Sequence, residues 1–361
     1  MTLLASFKLA LLVPVILLTA LLVSCKLADN GAVAASFGAK SIPANPDPLR
    51  NWSLPPQHAE QIIGSTPYQV KVVQGAGSGV TGAKRVDVLF EVEGADEEEV
   101  YLWEVEGKYR VKTKPFPSGS LDGLNNAPRK EIAAYEVQKL FLDPVDYVVP
   151  TTIARCVPLE IHHRTTPRMR PTLESTSCVL NAVSLWLKEV TLPDVLYDKE
   201  RFRNERAYAY HLSTFNILTY LMDHKDNRKG NFLISTDDKY RRVFAIDNGI
   251  GFGSWFFNWF FPSSYAWRKM VVPAVPRSSV DRLRALRRKD LDALSVLAEF
   301  KTDENGVLQA VEPGASLDPT EGVNIRDGRV QLGLTEPEIE DIWKRIQDLL
   351  RDVDEGQLAT F

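Results

Sequence analysis

Three oxygen-bearing side chains within one short stretch of the sequence have the types and spacing that phosphoryl transfer requires. Asp226 is followed by Asn231 after four intervening residues, and Asp247 comes after two apolar runs with a polar turn between them. A phosphoryl-transfer site needs a carboxylate near the attacking hydroxyl and oxygen ligands that hold Mg²⁺ against the nucleotide phosphates. The expected roles are therefore catalysis for Asp226 and metal binding for Asn231 and Asp247.

The apolar runs between Asn231 and Asp247 predict how these two residues are brought together. Residues 232–234 and 243–246 have the apolar, β-branched and aromatic character of paired strands, with a polar turn at 236–239. Because an antiparallel hairpin returns the chain to its starting point, its two flanking residues are expected to lie close together in space. The apolar segment 206–222 predicts a buried helix that leads into this stretch.

The same stretch resembles the atypical branch of the kinase superfamily. His224-Lys225-Asp226 with Asn231 fits the H-x-D-x-x-x-x-N catalytic loop, and Asp247-Asn248-Gly249 stands where a D-F-G would. The similarity is to secretory-pathway (Golgi casein kinase and four-jointed) protein kinases, type II phosphatidylinositol 4-kinases and HipA-type bacterial kinases. In the first two groups the metal-binding Asp is followed by Asn-Gly and then by an aromatic residue, here Phe252.

A second block of similarity lies upstream. Lys114-Pro115 resembles the family's Lys-Pro after the nucleotide-facing strand, and residues 130–135 resemble the helix that follows. The resemblance implies that Lys114 contacts the phosphates and that Glu131 positions this lysine through an ion pair. Lys112 is the second candidate, because two residues apart on a strand point to the same face.

A Gly-rich segment, residues 75–82, follows the first predicted strand. Gly77 and Gly79 begin a G-x-G-x-x-G pattern whose backbone amides are candidates for cradling the phosphates. A mobile turn between two strands is the alternative interpretation, because no helix is predicted to follow.

The resemblance implies an α+β, bilobed protein-kinase-like fold that uses ATP and Mg²⁺ or Mn²⁺. The length of 361 residues suits one such unit. We expect an N-lobe at residues 59–160, built on a small antiparallel sheet on the nucleotide side. The larger, mainly helical C-lobe is expected at 161–361 and carries the catalytic loop and the metal-binding Asp. The predicted N-lobe strands are 68–73, 85–92, 100–105 and 108–114, with a tight turn at 106–107.

The remaining elements are predicted from periodicity and capping residues. A helix is expected at 129–141, a strand at 153–161, and a helix or strand at 178–187. Towards the C-terminus we expect an amphipathic helical segment at 278–300, an irregular region or small hairpin at 303–333, and a last helix capped by Thr335 that runs to about residue 353.

The aromatic-rich segment 254–267 has two interpretations, packing beneath the C-lobe or an aromatic belt at a membrane surface.

The first 25 residues have the character of an export signal. Lys8 precedes an apolar run at 9–23, too short for a comfortable membrane span. Leu22-Val23-Ser24-Cys25 resembles the bacterial lipobox, which implies lipidation at Cys25 and an exported lipoprotein attached to a membrane of the bacterial envelope, periplasmic or outer-surface. A plain signal peptide or short anchor is the alternative. Residues 26–58, rich in Ala, Asn, Pro and Ser, predict a flexible tether.

The cysteine content bears on the compartment of the protein, and the charge content bears on its partners. Cys156 and Cys178 either form a disulfide in an oxidising compartment or are two buried thiols, and the sequence leaves both open. With 43 basic against 47 acidic residues the net charge is −4, and no basic run indicates a nucleic-acid partner.

These features predict a Mg²⁺/ATP-dependent phosphotransferase that binds a nucleotide and acts on a protein or lipid hydroxyl at the bacterial envelope. Two alternatives share the fold: an envelope-tethered pseudokinase or interaction scaffold without phosphotransfer, and an enzyme that transfers another group, such as a nucleotidyl moiety. The presence of Asp226, Asn231 and Asp247 together favours retained chemistry, because a scaffold does not need all three.

Overall fold

The computed structural model describes residues 47–52, 54–65, 68–75, 83–93, 100–112, 127–163, 167–168, 170–225, 229–253, 266–304 and 306–361. Helices α1 to α7 are Pro56–Ser65, Pro128–Gln138, Leu159–His163, Lys199–Asn204, Arg206–Leu221, Arg277–Ala285 and Glu336–Asp354. Strands β1 to β14 are Tyr68–Gly75, Ala83–Glu93, Val100–Lys112, Thr152–Pro158, Cys178–Ser184, Val190–Thr191, Phe232–Ser235, Val243–Ala245, Ala274–Val275, Ala298–Thr302, Leu308–Val311, Val323–Arg326, Arg329–Leu332 and Ala359–Thr360. The fold is α+β, as predicted.

The largest sheet has five strands in the order β1-β2-β3-β5-β4, and every neighbouring pair is antiparallel. Helix α2 connects β3 to β4. The sheet extends past residue 160, the expected end of the N-lobe, because β5 fills the position between β3 and β4. Six of the seven residues of β5 are buried, which identifies this strand as central to the packing.

The predicted turn at 106–107 is wrong, because β3 continues through both residues. The pairing with β2 shifts register there, from Asp87 opposite Lys108 to Leu89 opposite Glu104. The Glu-Gly pair therefore marks an irregularity within a strand, a role that glycine commonly has in sheets. The predicted strand at 153–161 is likewise wrong at its end, because helix α3 begins at Leu159.

The disulfide interpretation of the two cysteines is confirmed. Cys156 on β4 is bonded to Cys178 on β5, with their Cα atoms 5.5 Å apart. Cys178 belongs to a buried apolar cluster that also contains Ile132 of α2 and Phe300 of β10. The bond therefore fixes two adjacent strands where helix and sheet meet.

A second sheet, in the order β11-β10-β13-β12, occupies much of the region predicted to be irregular. Its Phe300, Val330 and Leu332 pack in the same cluster as Ile132. The prediction of one helical segment at 278–300 is also wrong beyond α6, because a 3-10 helix at Arg288–Ser295 and then β10 follow. The apolar residues of these short strands are thus buried by contacts with residues far away in the sequence.

The main core surrounds helix α5, whose bounds confirm the predicted buried helix. The ring of Phe215 lies 4.6 Å from that of Phe232 on β7 and 5.4 Å from that of Trp267. Trp267 is buried, so at this position the core-packing interpretation is confirmed. The preceding residues 254–265 lie outside the described part of the chain. Thr335 caps the start of α7 as predicted, and Glu338 completes a capping box with it.

The packed part of the chain begins before residue 58, the expected end of the tether. Trp52 is 4% exposed and meets the ring of Phe244 edge-on at 5.6 Å. The guanidinium of the fully buried Arg242 lies beside both rings, 5.5 Å from that of Trp52 and 5.2 Å from that of Phe244, and donates a hydrogen bond to the carbonyl of Pro48 at 2.7 Å. Asn51 donates to the carbonyl of Lys188 at 3.0 Å. Residues 47–52 are thus part of the folded body.

Within the described ranges, the helices are all too short or too polar to cross a lipid bilayer.

Candidate functional site

The β7–β8 hairpin brings Asn231 and Asp247 to the same end of a two-stranded unit. Phe232 pairs with Ala245 and Ile234 with Val243, which is the predicted antiparallel hairpin. The pairing continues one step further, because the amide of Ile246 donates to the carbonyl of Asn231 at 2.9 Å. Asn231 is therefore hydrogen-bonded to Ile246, the residue that precedes Asp247. The two expected metal ligands thus flank the same end of the hairpin.

The backbone after the hairpin is held in an unusual conformation. Asp247 has φ of 64° and Phe252 has φ of 57°, both in the left-handed region that non-glycine residues seldom occupy. Such conformations cost of order 1–3 kcal/mol each and persist where the surroundings fix them. The loop between them is closed by a hydrogen bond from the amide of Gly251 to the carbonyl of Asn248, at 3.1 Å.

The first turn of helix α2 supplies the contacts that fix this loop. The Glu131 carboxylate accepts a hydrogen bond from the backbone amide of Asn248 at 3.0 Å. The Lys130 ammonium donates to the carbonyl of Gly251 at 2.9 Å. A Cβ atom at Gly249 would lie 3.1 Å from the Glu131 carboxylate, so glycine allows the helix to approach closely. Two consecutive side chains of α2 thus bind both ends of the Asn248–Gly251 turn.

The preceding residue of α2 connects this site to the last helix. Arg129 donates two hydrogen bonds to the carboxylate of Glu338, at 2.7 and 3.0 Å, and one to the carbonyl of Gly333 at 3.0 Å. Burial alone would raise the pKa of Glu338, but the Arg129 hydrogen bonds and the charges of Arg129 and Lys130 outweigh it, so that the pKa lies below its ordinary 4.5. The start of α2 is therefore held on both sides by charged hydrogen bonds.

The chain at the end of helix α5 is joined to the same loop. The amide of Phe252 donates to the carbonyl of Met222 at 2.5 Å. Lys225 is buried next to Asp223, and their charged atoms lie 3.3 Å apart. Burial lowers the pKa of Lys225 from its ordinary 10.5, and the Asp223 carboxylate opposes that effect. Residues 222–225 and 247–252 thus form one connected unit.

The structure brings three of the sequence-predicted site residues together. Asp247 belongs to this connected unit, Glu131 is bonded to its Asn248, and Asn231 accepts a hydrogen bond from Ile246, next to Asp247. Asp226, Lys114, Gly77, Gly79 and Cys25 lie outside the described residues. Lys112 is the last residue of β3, and its backbone pairs with Ala182 of β5.

Sequence reasoning missed two residues that the structure places at the loop. Lys130 adjoins Glu131 in the upstream similarity block and was not assigned a role. Asn248 is only 1% exposed, and its amide carries the contact to Glu131. Both residues belong to the motifs that resemble atypical kinases. Their partners, however, are more than a hundred residues away along the chain, beyond the reach of local patterns.

The side chains available here suit a hard divalent cation. In the part of the chain that the structure describes, no group of three or more His, Cys, Asp and Glu residues converges. Mg²⁺ does not need such a group, because one or two carboxylates with the substrate phosphates and water normally complete its shell. A carboxylate from Asp247 and an amide oxygen from Asn231 fit that requirement.

Comparison with protein-family models and with curated proteins gave no match to this chain.

Proposed function

We propose that this protein is a Mg²⁺/ATP-dependent phosphotransferase with a bilobed kinase-like fold. The observation that carries the proposal is the 3.0 Å hydrogen bond from the amide of Asn248 to Glu131. These residues belong to the two sequence blocks that separately resemble atypical kinases. Chance similarity in two blocks gives no reason for the blocks to meet in the folded chain.

The arrangement around the large sheet supports the proposal. In protein kinases a lysine on the third strand pairs with a glutamate on the helix that follows. Here Lys112 ends β3, Lys114 comes two residues later, and Glu131 lies in the first turn of α2, the next described helix. Helix α2 then packs beside the loop that contains Asp247. The lysine and the glutamate thus stand in the order that a kinase requires.

The proposed chemistry depends on positioning and on charge. Asp226 would accept or orient the proton of the attacking hydroxyl, and Asn231 with Asp247 would hold the metal ion. The bound Mg²⁺ would neutralise charge on the nucleotide phosphates. Glu131 and Lys130 would keep Asp247 in its left-handed conformation, so that little reorganisation is needed during the reaction. Lys114 or Lys112 would bind the phosphates.

The site of action that we propose is the outside of a bacterial membrane, with attachment through lipid on Cys25. The Cys156–Cys178 disulfide supports export, because such bonds persist in oxidising compartments and are rare in the cytosol. The substrate hydroxyl would belong to a protein or a lipid available at that membrane.

Transfer of labelled phosphate tests the proposal. The purified protein is incubated with γ-labelled ATP and Mg²⁺ in the presence of an envelope extract, and label is measured separately in protein and in extracted lipid. We expect label in one fraction, lost in Asp226→Asn and Asp247→Ala and kept in Asp238→Ala, a variant of the hairpin turn. A parallel reaction with α-labelled ATP detects nucleotidyl transfer. Absence of transfer from either label would contradict the proposal and favour a scaffold.

A further inference from the structure

A compact charge cluster lies directly before the catalytic-loop sequence, at the end of helix α5. The carboxylate of Asp223 accepts hydrogen bonds from Arg268 at 2.8 Å and from Arg345 at 2.7 Å. Lys225 approaches its second oxygen at 3.3 Å. The side chain of Asp223 is 8% exposed and that of Lys225 is fully buried. Three cations from separate parts of the chain therefore share one nearly buried carboxylate.

Arg345, on α7, makes more than an ion pair. It also donates to the backbone carbonyls of Tyr220 and Arg268, each at 3.2 Å, and its guanidinium lies 5.3 Å from the ring centre of Tyr220. A planar guanidinium can satisfy such a divergent set of acceptors, whereas an ammonium group cannot. Arg345 thus joins the last helix to the final turn of α5 and to the chain after the aromatic-rich segment.

The segment bound by Arg345 has a fixed and unusual path. Asp223 has φ of 48°, so the chain leaves α5 through a left-handed residue. The amides of Asp223 and His224 turn back onto the carbonyls of Tyr220 and Thr219, at 3.0 and 2.9 Å. The carbonyl of Met222, the residue before Asp223, accepts a hydrogen bond from the amide of Phe252. These contacts therefore fix the path of the chain from the end of α5 to His224.

We propose that Arg345, acting through Asp223, is a positioning residue that fixes residues 222–225, the segment that directly precedes the proposed catalytic Asp226 in the sequence. The inference rests on the proposed phosphotransfer function, because a loop of fixed geometry matters most for reacting groups. It gives the C-terminal helix a role in the site even though Arg345 itself touches no reacting atom. Removing the guanidinium leaves the Asp223 carboxylate with fewer partners and frees the last turn of α5.

Backbone amide hydrogen exchange and steady-state kinetics on the full chain test this role. In Arg345→Met we expect faster exchange at residues 219–225 and at Phe252, and a kcat that falls by about tenfold to a hundredfold. The KM for ATP should stay within about twofold, because the loss acts on positioning rather than on nucleotide binding. Arg345→Lys, which keeps the charge and is the variant less prone to misfolding, should show both effects in weaker form.

Arg351→Met is the matched control on the same helix. Its side chain is 58% exposed, and its guanidinium pairs with the nearby Asp348 at 2.7 Å. Both exchange at residues 219–225 and kcat should be unchanged in this variant. Unchanged exchange in Arg345→Met, or faster exchange with an unchanged kcat, would overturn the inference. If the wild-type protein transfers no phosphate, the proposed function fails by itself, and the exchange data still decide whether Arg345 fixes this segment.

Discussion

Glu131 and Asn248 are 117 residues apart in the sequence, yet the carboxylate of the first accepts a hydrogen bond from the backbone amide of the second at 3.0 Å. This contact joins the start of α2 to the loop that follows the β7–β8 hairpin. In the sequence, Glu131 was expected to position a lysine. The structure gives its carboxylate a contact to the loop that contains Asp247, the proposed metal ligand.

Replacing Glu131 tests that contact. Glu131→Ala leaves the buried amide of Asn248 without this acceptor, which costs about 1–3 kcal/mol, and relaxes the left-handed Asp247. We expect Mg²⁺-dependent ATP binding, measured by calorimetry, to be lost in Glu131→Ala and weakened in Glu131→Gln. Glu136→Ala on the same helix, whose carboxylate pairs with Lys139, should bind as the wild type does. Equal binding by the Ala variants at 131 and 136 would refute the role.

Trp52→Ala tests whether the N-terminal segment belongs to the folded body. Truncating a buried tryptophan typically costs about 3–5 kcal/mol. Here it also removes one of the two rings beside Arg242. Chemical denaturation should show a loss in that range. The control Leu192→Ala, with its leucine 55% exposed, should change the unfolding free energy by less than about 0.5 kcal/mol. A similarly small loss in Trp52→Ala would mean that residues 47–52 act as a tether.

The disulfide predicts a redox-dependent stability. Its cysteines are 22 residues apart, and closing a loop of that length stabilises a fold by about 3 kcal/mol in the chain-entropy treatment. The unfolding free energy of the wild type should fall by about that amount in reducing agent. The Cys156→Ala/Cys178→Ala double variant should match the reduced protein and show no response to reductant. An unfolding free energy of the wild type that is the same with and without reducing agent would show that the disulfide does not form.

The Arg129–Glu338 pair predicts that the free energy of unfolding decreases at acidic pH. Because the pKa of Glu338 is lowered in the folded state, its contribution is present above its ordinary 4.5 and is lost as pH falls through the lower folded value. Unfolding free energies measured from pH 6 to pH 3 should therefore decline less steeply in Glu338→Gln. Glu336→Gln, whose carboxylate is 58% exposed, is the control and should keep the wild-type slope. Parallel curves for the wild type and Glu338→Gln would exclude this contribution.

Elements with strong local signals could be predicted from the sequence. The hairpin follows from apolar runs on both sides of a polar turn, helix α5 from its long apolar run, and the start of α7 from Thr335 with Glu338 three residues later. The proximity of Asn231 and Asp247 then follows from the geometry of a hairpin. That part of the site required no knowledge of the rest of the fold.

The rest depends on contacts between distant residues. Residues 47–52 have the composition of a linker, but the ring of Trp52 packs against Arg242 and Phe244, which lie nearly two hundred positions later in the sequence. The strands of the second sheet alternate apolar and polar residues but are only four or five residues long, and Phe300 and Val330 pack with the distant Ile132. Lys130 and Arg345 look like ordinary helix-surface charges in sequence. Only the fold supplies the backbone carbonyls that they bind.

The central claim, that Asn231 and Asp247 hold a metal ion against a nucleotide, is tested most directly by a thermal-shift titration with ATP, with and without Mg²⁺ or Mn²⁺. At about 100 times its dissociation constant the ligand should stabilise the wild type by about 2.7 kcal/mol, and only with metal present. Asp247→Ala and Asn231→Ala should lose this shift. Asp238→Ala, with a side chain 82% exposed on the same hairpin, should retain it. A metal-dependent shift that persists in Asp247→Ala, or no shift in the wild type, would contradict the account.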